Sequence, residues 1–201
     1  MSTDEFWRLI DATKAPKRQV QLRKLTAQLQ KLSRKELIAF HRKFIELQVA
    51  AFTWDLWFVA WLFQGQMLSD DSFSDFRNWL ISRGKDVYER GLRDPDSLLD
   101  ELRKAEHPEF EEFGYVADHV FDDKFNEDFP ELKIRFPKAP AGGKWLRAQA
   151  KKRKQTNLLN DCQVFYELSE QDYLAIAKQF PRTWSHSDVA VQFEKARRTA
   201  V

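Results

Sequence analysis

Cysteine is almost missing from this chain of 201 residues: Cys162 is the only one. A single thiol closes no internal disulfide, and no Cys/His spacing suits a zinc site. That pattern predicts a reducing compartment, the cytoplasm. Glycine and proline are also scarce, at six and seven residues. So few turn formers argue against a sandwich of many short strands and favour helices. Long apolar runs are lacking as well. The longest, Trp54 to Phe63, is interrupted by Asp55 and too short to span a bilayer. The start, Met1-Ser2-Thr3-Asp4-Glu5-Phe6-Trp7, is acidic and has no apolar signal core. Neither a cleaved leader nor a membrane partner is expected. There is no glycine-rich phosphate loop, no Gly-x-Ser-x-Gly elbow and no His-Glu-x-x-His. No cofactor and no metal are expected, and no reaction is assigned.

Aromatic residues are abundant. They make up 14% of a chain that is 43% hydrophobic, which excludes wholesale disorder. Phe52-Thr53-Trp54-Asp55-Leu56-Trp57-Phe58-Val59-Ala60-Trp61-Leu62-Phe63 concentrates three tryptophans and three phenylalanines around one carboxylate. So much rigid apolar area predicts the centre of a core.

The net charge of +2 hides a strong asymmetry. Residues 67–131 hold 8 basic and 19 acidic side chains, whereas residues 132–154 hold 9 basic and none acidic. Two opposed blocks of this kind steer partners, or pair with one another.

Apolar spacing predicts a mainly α fold: a compact multi-helix core domain over 1–137 and a C-terminal helical appendage over 138–201. Phe6, Trp7 and Ile10 mark a first helix, ended by Pro16. Leu22, Leu25, Leu29 and Leu32 mark a second. Ser33-x-x-Glu36 is a capping box that opens a third, with the stripe Leu37, Phe40, Phe44, Leu47 and Ala51. Its phase continues through Trp54, Phe58 and Trp61 after a break near Thr53. Ser69-Asp70-Asp71 caps a helix carrying Phe73, Phe76, Trp79 and Leu80. A short helix through Val87, Tyr88 and Leu92 follows. Asp94-Pro95-Asp96-Ser97 is a turn before another short helix over Leu98 to Lys104. Pro108 suits the first position of a helix bearing Phe110, Phe113, Ala117, Val120 and Phe121. An extended stretch begins at Asn126, and Ala139 to Gly143 reads as a linker. Beyond it come a basic helix over Trp145 to Lys154, a stretch over Gln163 to Leu168 that alternates like a short strand but could be helical, and helices over Tyr173 to Phe180 and Ser187 to Arg198.

Several stretches together resemble a bacterial family known as domain of unknown function 4240. They are Asp4-Glu5-Phe6-Trp7-x-x-Ile10-Asp11, Phe44 to Leu47, Thr53-Trp54-Asp55-Leu56-Trp57, Ser69-Asp70-Asp71-Ser72-Phe73, Phe76-Arg77-x-Trp79-Leu80 and Asp94-Pro95-Asp96-Ser97-Leu98, with Phe129-Pro130-x-Leu132 closing the pattern. The resemblance covers residues 2 to 137. It implies a helical fold and no assigned activity. His41 and His119 fall in none of these motifs.

Two constellations could carry function. Trp54, Asp55, Trp57, Asp70, Asp71 and Arg77 could shape a polar pocket beneath an aromatic wall, because Asp55 needs a cation or several N–H donors and a guanidinium grips a carboxylate through two hydrogen bonds. The plainer reading is a buried ion pair with two helix-capping aspartates. Lys144, Trp145, Arg147, Lys151, Lys152, Arg153 and Lys154 could bind nucleic acid, neutralising phosphates while Trp145 stacks on a base. The same run could instead meet an acidic protein surface. Asp118, His119, Asp122 and Asp123 share helix faces at a spacing of four and read as a solvated face. His41 reads as a surface or partner-contact residue. The expected function is a non-enzymatic protein-interaction module working through its acidic surface, such as a toxin-neutralising immunity protein or a regulatory adaptor. Nucleic-acid binding and a small-ligand or enzyme pocket around Asp55 and Arg77 are the alternatives.

Overall fold

Ser2 and Ser33 each open a helix by the same device. The serine Oγ accepts the backbone N–H of Glu5 at 3.2 Å or of Glu36 at 3.4 Å. The glutamate in turn accepts the serine N–H, at 2.6 and 2.8 Å. Donation from the Ser2 N–H holds the Glu5 carboxyl below its usual range, and donation from the Ser33 hydroxyl, at 2.6 Å, and then from its N–H does the same for Glu36. The helices they start are α1 (Thr3–Thr13) and α3 (Arg34–Ala50), with α2 (Arg18–Leu29) between them.

The computed structural model describes residues 1–65, 68–105, 107–143 and 168–199. The protein is mainly α, as its apolar spacing predicts, and no strand occurs among the described residues. The further helices are α4 (Trp54–Gln64), α5 (Asp70–Ser82), α6 (Lys85–Arg93), α7 (Leu99–Leu102), α8 (Glu111–Phe125), α9 (Glu170–Gln179), α10 (Pro181–Trp184) and α11 (Asp188–Thr199). A 3₁₀ turn over Pro95–Leu98 precedes α7. Pro108 stands ahead of α8 rather than at its first position, because the helix begins after Phe110. The expected basic helix over residues 145–154 and the strand-like stretch over 163–168 lie outside the described residues, Leu168 excepted. No described helix is long and apolar enough to cross a membrane.

The chain forms two compact units, each drawn from separated stretches. The first takes Met1–Ala51, Ser74–Glu89 and Pro108–Phe136; the second takes Phe52–Phe73, Arg90–His107 and Pro137–Val201. The expected boundary at 137 therefore coincides with one of several crossings between units.

In the first unit, the apolar faces of α1, α2, α3 and α8 meet. Phe6, Ile10, Leu25, Leu29, Leu37, Phe40, Phe44, Phe113, Val120 and Phe121 are all buried. Phe6 stacks on Phe40, with ring centroids 4.9 Å apart. Each such side chain contributes about 1.5–3 kcal/mol by leaving water. A buried polar seam runs through this core. Gln48 donates to Asn78 Oδ1, Arg77 Nη1 donates to the Gln48 carbonyl at 2.9 Å, and Tyr88 donates its O–H to the Leu47 carbonyl at 2.7 Å. Gly114 leaves room for this seam, since a Cβ there would come within 2.8 Å of Asn78 Nδ2.

The second unit is built around α4, whose residues from Leu56 to Leu62 are buried without exception. A helix apolar on every side has no solvent face and belongs in an interior. Thr53 caps it, its Oγ1 accepting the Leu56 N–H at 3.3 Å. Trp54 stacks on Trp57 at 5.4 Å and Trp57 on Phe73 at 4.6 Å. The C-terminal helices supply further rings: Tyr173 of α9 lies 6.3 Å from Trp61 and 4.9 Å from Phe193.

Two contacts fix late residues of the chain to this core. The stretch expected to be a linker instead pairs with the start of α4. The Trp54 N–H donates to the Ala141 carbonyl, and the Ala141 N–H donates to the Phe52 carbonyl, both at 2.9 Å. Gly143 has φ +62°, and a Cβ on it would meet Trp54 at 2.8 Å, so only glycine fits this approach. At the other contact the buried Asp96 accepts two backbone N–H groups of α10, from Arg182 at 2.9 Å and from Thr183 at 2.7 Å. Asp96 thus caps the first turn of α10.

Candidate functional site

Helix α8 separates its residues cleanly. Phe113, Val116, Ala117, Val120 and Phe121 face the core of the first unit and are buried. Glu111, Glu112, Tyr115, His119, Asp122 and Asp123 are exposed. The spacing of four from Glu111 to Tyr115, His119 and Asp123 sets these side chains one above another along the helix. The Tyr115 ring is 51% exposed and lies 6.3 Å from that of His119. Glu111 and Glu112 belong in the first turn, where carboxylates complement the helix dipole. Among the described residues, Glu111, Glu112, Asp122 and Asp123 form no ion pair, unlike Glu127, which Arg34 holds at 2.6 Å. The outer face of α8 is therefore an aromatic centre with exposed carboxylates one turn to either side, none of them ion-paired among the described residues.

The edge of this face turns inward at Asp118. Its Oδ1 lies 3.7 Å from Nε2 of His41 on α3, beyond hydrogen-bond reach. His41, expected on the surface, keeps only 12% of its side chain exposed. Its ring packs against Phe129 at 4.6 Å, and its Nδ1 is buried with no hydrogen-bond partner among the described residues. Burial pushes the His41 imidazole below the usual histidine range, against the pull of Asp118. Burial raises the Asp118 carboxyl; His41 opposes that shift and Asp122 supports it. A signal for His41 was present in the sequence. Leu37, His41, Phe44 and Gln48 recur at intervals of four, three and four, so both polar residues belong to the inner stripe of α3.

The pocket residues expected from sequence divide between the units. Trp54 and Trp57 come together with Phe73 in the second unit, as a stack. Asp55 is half-buried in the first turn of α4, and its Oδ2 would lie 3.6 Å from a Cβ placed on Gly142. Asp70 and Asp71 are exposed in the first turn of α5, where the Ser69 hydroxyl accepts the Ser72 N–H at 3.1 Å. Arg77 belongs to the first unit, buried beside Gln48 and 6.0 Å from the Phe136 ring centroid. Lys144, Trp145, Arg147, Lys151, Lys152, Arg153 and Lys154 lie outside the described residues. No group of three or more His, Cys, Asp or Glu side chains able to hold a metal ion occurs among the described residues.

No curated protein and no solved structure matches the chain. Residues 1–123, which include all of the motifs quoted above up to Leu98 and nearly all of α8, match a family described as Protein of unknown function (DUF4240). The chain belongs to that family.

Proposed function

We propose that this protein is a non-enzymatic interaction module that takes a basic protein partner on the outer face of α8. The observation that carries this reading is the set of exposed carboxylates Glu111, Glu112, Asp122 and Asp123, which form no ion pair among the described residues and flank the half-exposed Tyr115. A tyrosine ring offers a large, rigid contact with a polar tip, a residue type that dominates binding energy where it is buried by a partner. Exposed carboxylates contribute little individually, about 0–1 kcal/mol for each pair formed, but together they speed encounter with a positive surface and fix its orientation. A partner rich in arginine and lysine fits both features, since a guanidinium can pair with a carboxylate and stack on a phenol ring. A regulatory adaptor, or an immunity protein that masks the basic surface of a toxin, would use such a face.

The test is retention of a partner from the native host's lysate by the immobilised full chain. A triple variant, E111K/E112K/Y115A, should lose the partner while keeping the far-UV circular dichroism of the parent. Binding by the parent should weaken as salt rises. A partner held equally by parent and variant would remove α8 from the interface.

A further inference from the structure

The segment after α8 is held down by side chains rather than by backbone. Asn126 ends the helix in the left-handed region, at φ +51°. Among the described residues, the turn bond from the Ile134 N–H to the Leu132 carbonyl is the only backbone hydrogen bond within 127–136. Three side-chain contacts fix the rest: Glu127 to Arg34, Phe129 between His41 and Phe121, and Phe136 beside Arg77. Phe129 is the inward one, 4.6 Å from the His41 ring and 4.7 Å from that of Phe121. It covers the imidazole whose Nδ1 has no partner among the described residues.

We propose that His41, Asp118 and Phe129 form an acid-sensitive latch, which holds residues 127–136 against α3 and α8 and opens when the imidazole takes up a proton. The neutral ring suits this slot because one of its nitrogens can go without an N–H. The imidazolium cannot, since both nitrogens then donate. Asp118 stands near one of them, but nothing among the described residues accepts from the other, and a buried unpaired donor on a cation is costly. Water can reach that donor in two ways. Separating α3 from α8 would break the apolar core of the unit. Lifting Phe129 would break one ring contact on each side and almost no backbone bonding, so it is the cheaper opening.

The surrounding charges modulate the latch. From α8, Asp118 favours the imidazolium, with Asp122 and His119 next to it and Lys124 bound to the carbonyls of Gln30 and Leu32. From the segment, Asp128 and Glu127 carry negative charge beside Phe129, and Arg34 neutralises Glu127. As the pH falls, Asp118 itself begins to protonate early, since burial raises its carboxyl, and the counter-charge to His41 fades. Loss of that counter-charge disfavours the imidazolium, so the ionised form of Asp118 is the one that promotes release.

The experiment uses the full chain with 4-fluorophenylalanine at Phe129, titrated from about pH 8 to about pH 5 across the histidine range. The ¹⁹F signal reports the ring, the His41 ring protons report its charge, and far-UV circular dichroism reports the helices. The expected result is a ¹⁹F shift toward the solvent-exposed position in step with the charging of His41, with the helical signal unchanged. D118N should move that midpoint to lower pH, because it removes the group that favours the cation, an effect a packing role alone does not produce. H41Q, which takes up no proton there, should abolish the step. A ¹⁹F signal that stays fixed while His41 charges overturns the latch. So does a ring release that coincides with loss of helix, which would be global acid unfolding.

Discussion

Removing the carboxylate of Asp96 should loosen the C-terminal helices from the second unit. In Asp96→Ala, the N–H groups of Thr183 and Arg182 lose their acceptor. Thr183 is 1% exposed, so water does not replace the lost bond, while the Arg182 N–H is partly solvated. An unsatisfied buried donor costs about 1–3 kcal/mol. Taking about 2 kcal/mol for Thr183 and about 1 kcal/mol for Arg182 gives a total of about 3 kcal/mol. For a chain of this length that corresponds to a fall in Tm of about 6–12 °C. Asp96→Asn keeps one oxygen and turns an NH₂ group toward the other donor, so it should recover no more than about half of the loss. Asp100 is the control. Its carboxylate meets the Arg182 guanidinium at 2.9 Å, but both side chains reach solvent, and Asp100→Ala should leave stability close to that of the parent. Urea unfolding followed by circular dichroism measures all three. The reasoning fails if Asp96→Ala lies within about 1 kcal/mol of the parent, or if Asp100→Ala costs as much.

Gly143→Ala should destabilise more than Gly65→Ala by about 1–3 kcal/mol in thermal melts. Both sites have positive φ, but a Cβ at 143 strikes Trp54 whereas one at 65 meets open space. Tyr88 supplies an alkaline prediction. Burial raises its phenol pKa above the ordinary value of 10.0, so the folded state keeps a proton that the unfolded state has lost. Its contribution to stability is complete below about pH 10 and declines as the pH rises beyond that, and Tyr88→Phe should flatten this decline in urea titrations at high pH. Tyr88→Phe should also cost about 1 kcal/mol near neutral pH, for the bond to Leu47.

Local signals carried most of the helical fold. Ser33 and Ser69 announce helix starts because a hydroxyl three residues before a backbone N–H can cap it through contacts local to the turn. Leu25, Leu29, Leu37 and Phe44 announce inner faces because burial follows the helical period. The features that local signals did not show depend on contacts remote in sequence. Ala139 to Gly143 has the composition of a linker, and nothing local shows that Ala141 will pair with Phe52 and Trp54. Asp96 reads as a turn residue, although its partners come 86 and 87 positions later. At the candidate site, the acidity of α8 was legible in composition, whereas the exposure of Tyr115 and the burial of His41 required the helix to be set in its unit. His41 and Gln48 had the inner-stripe spacing, but their polarity argued against it.

The composition of the second unit bears on synthesis. Every residue of the first unit has been made once Phe136 is joined, but the rings and N–H groups that complete the second, up to Phe193, come from codons read later. At ordinary translation speeds of about 5–20 residues per second, that interval lasts roughly 3–11 s. Throughout it, the tryptophans of α4 lack part of the interior they are shaped for. A nascent chain stalled in that window should be a strong client for holdase chaperones, and release of the finished polypeptide should end the dependence.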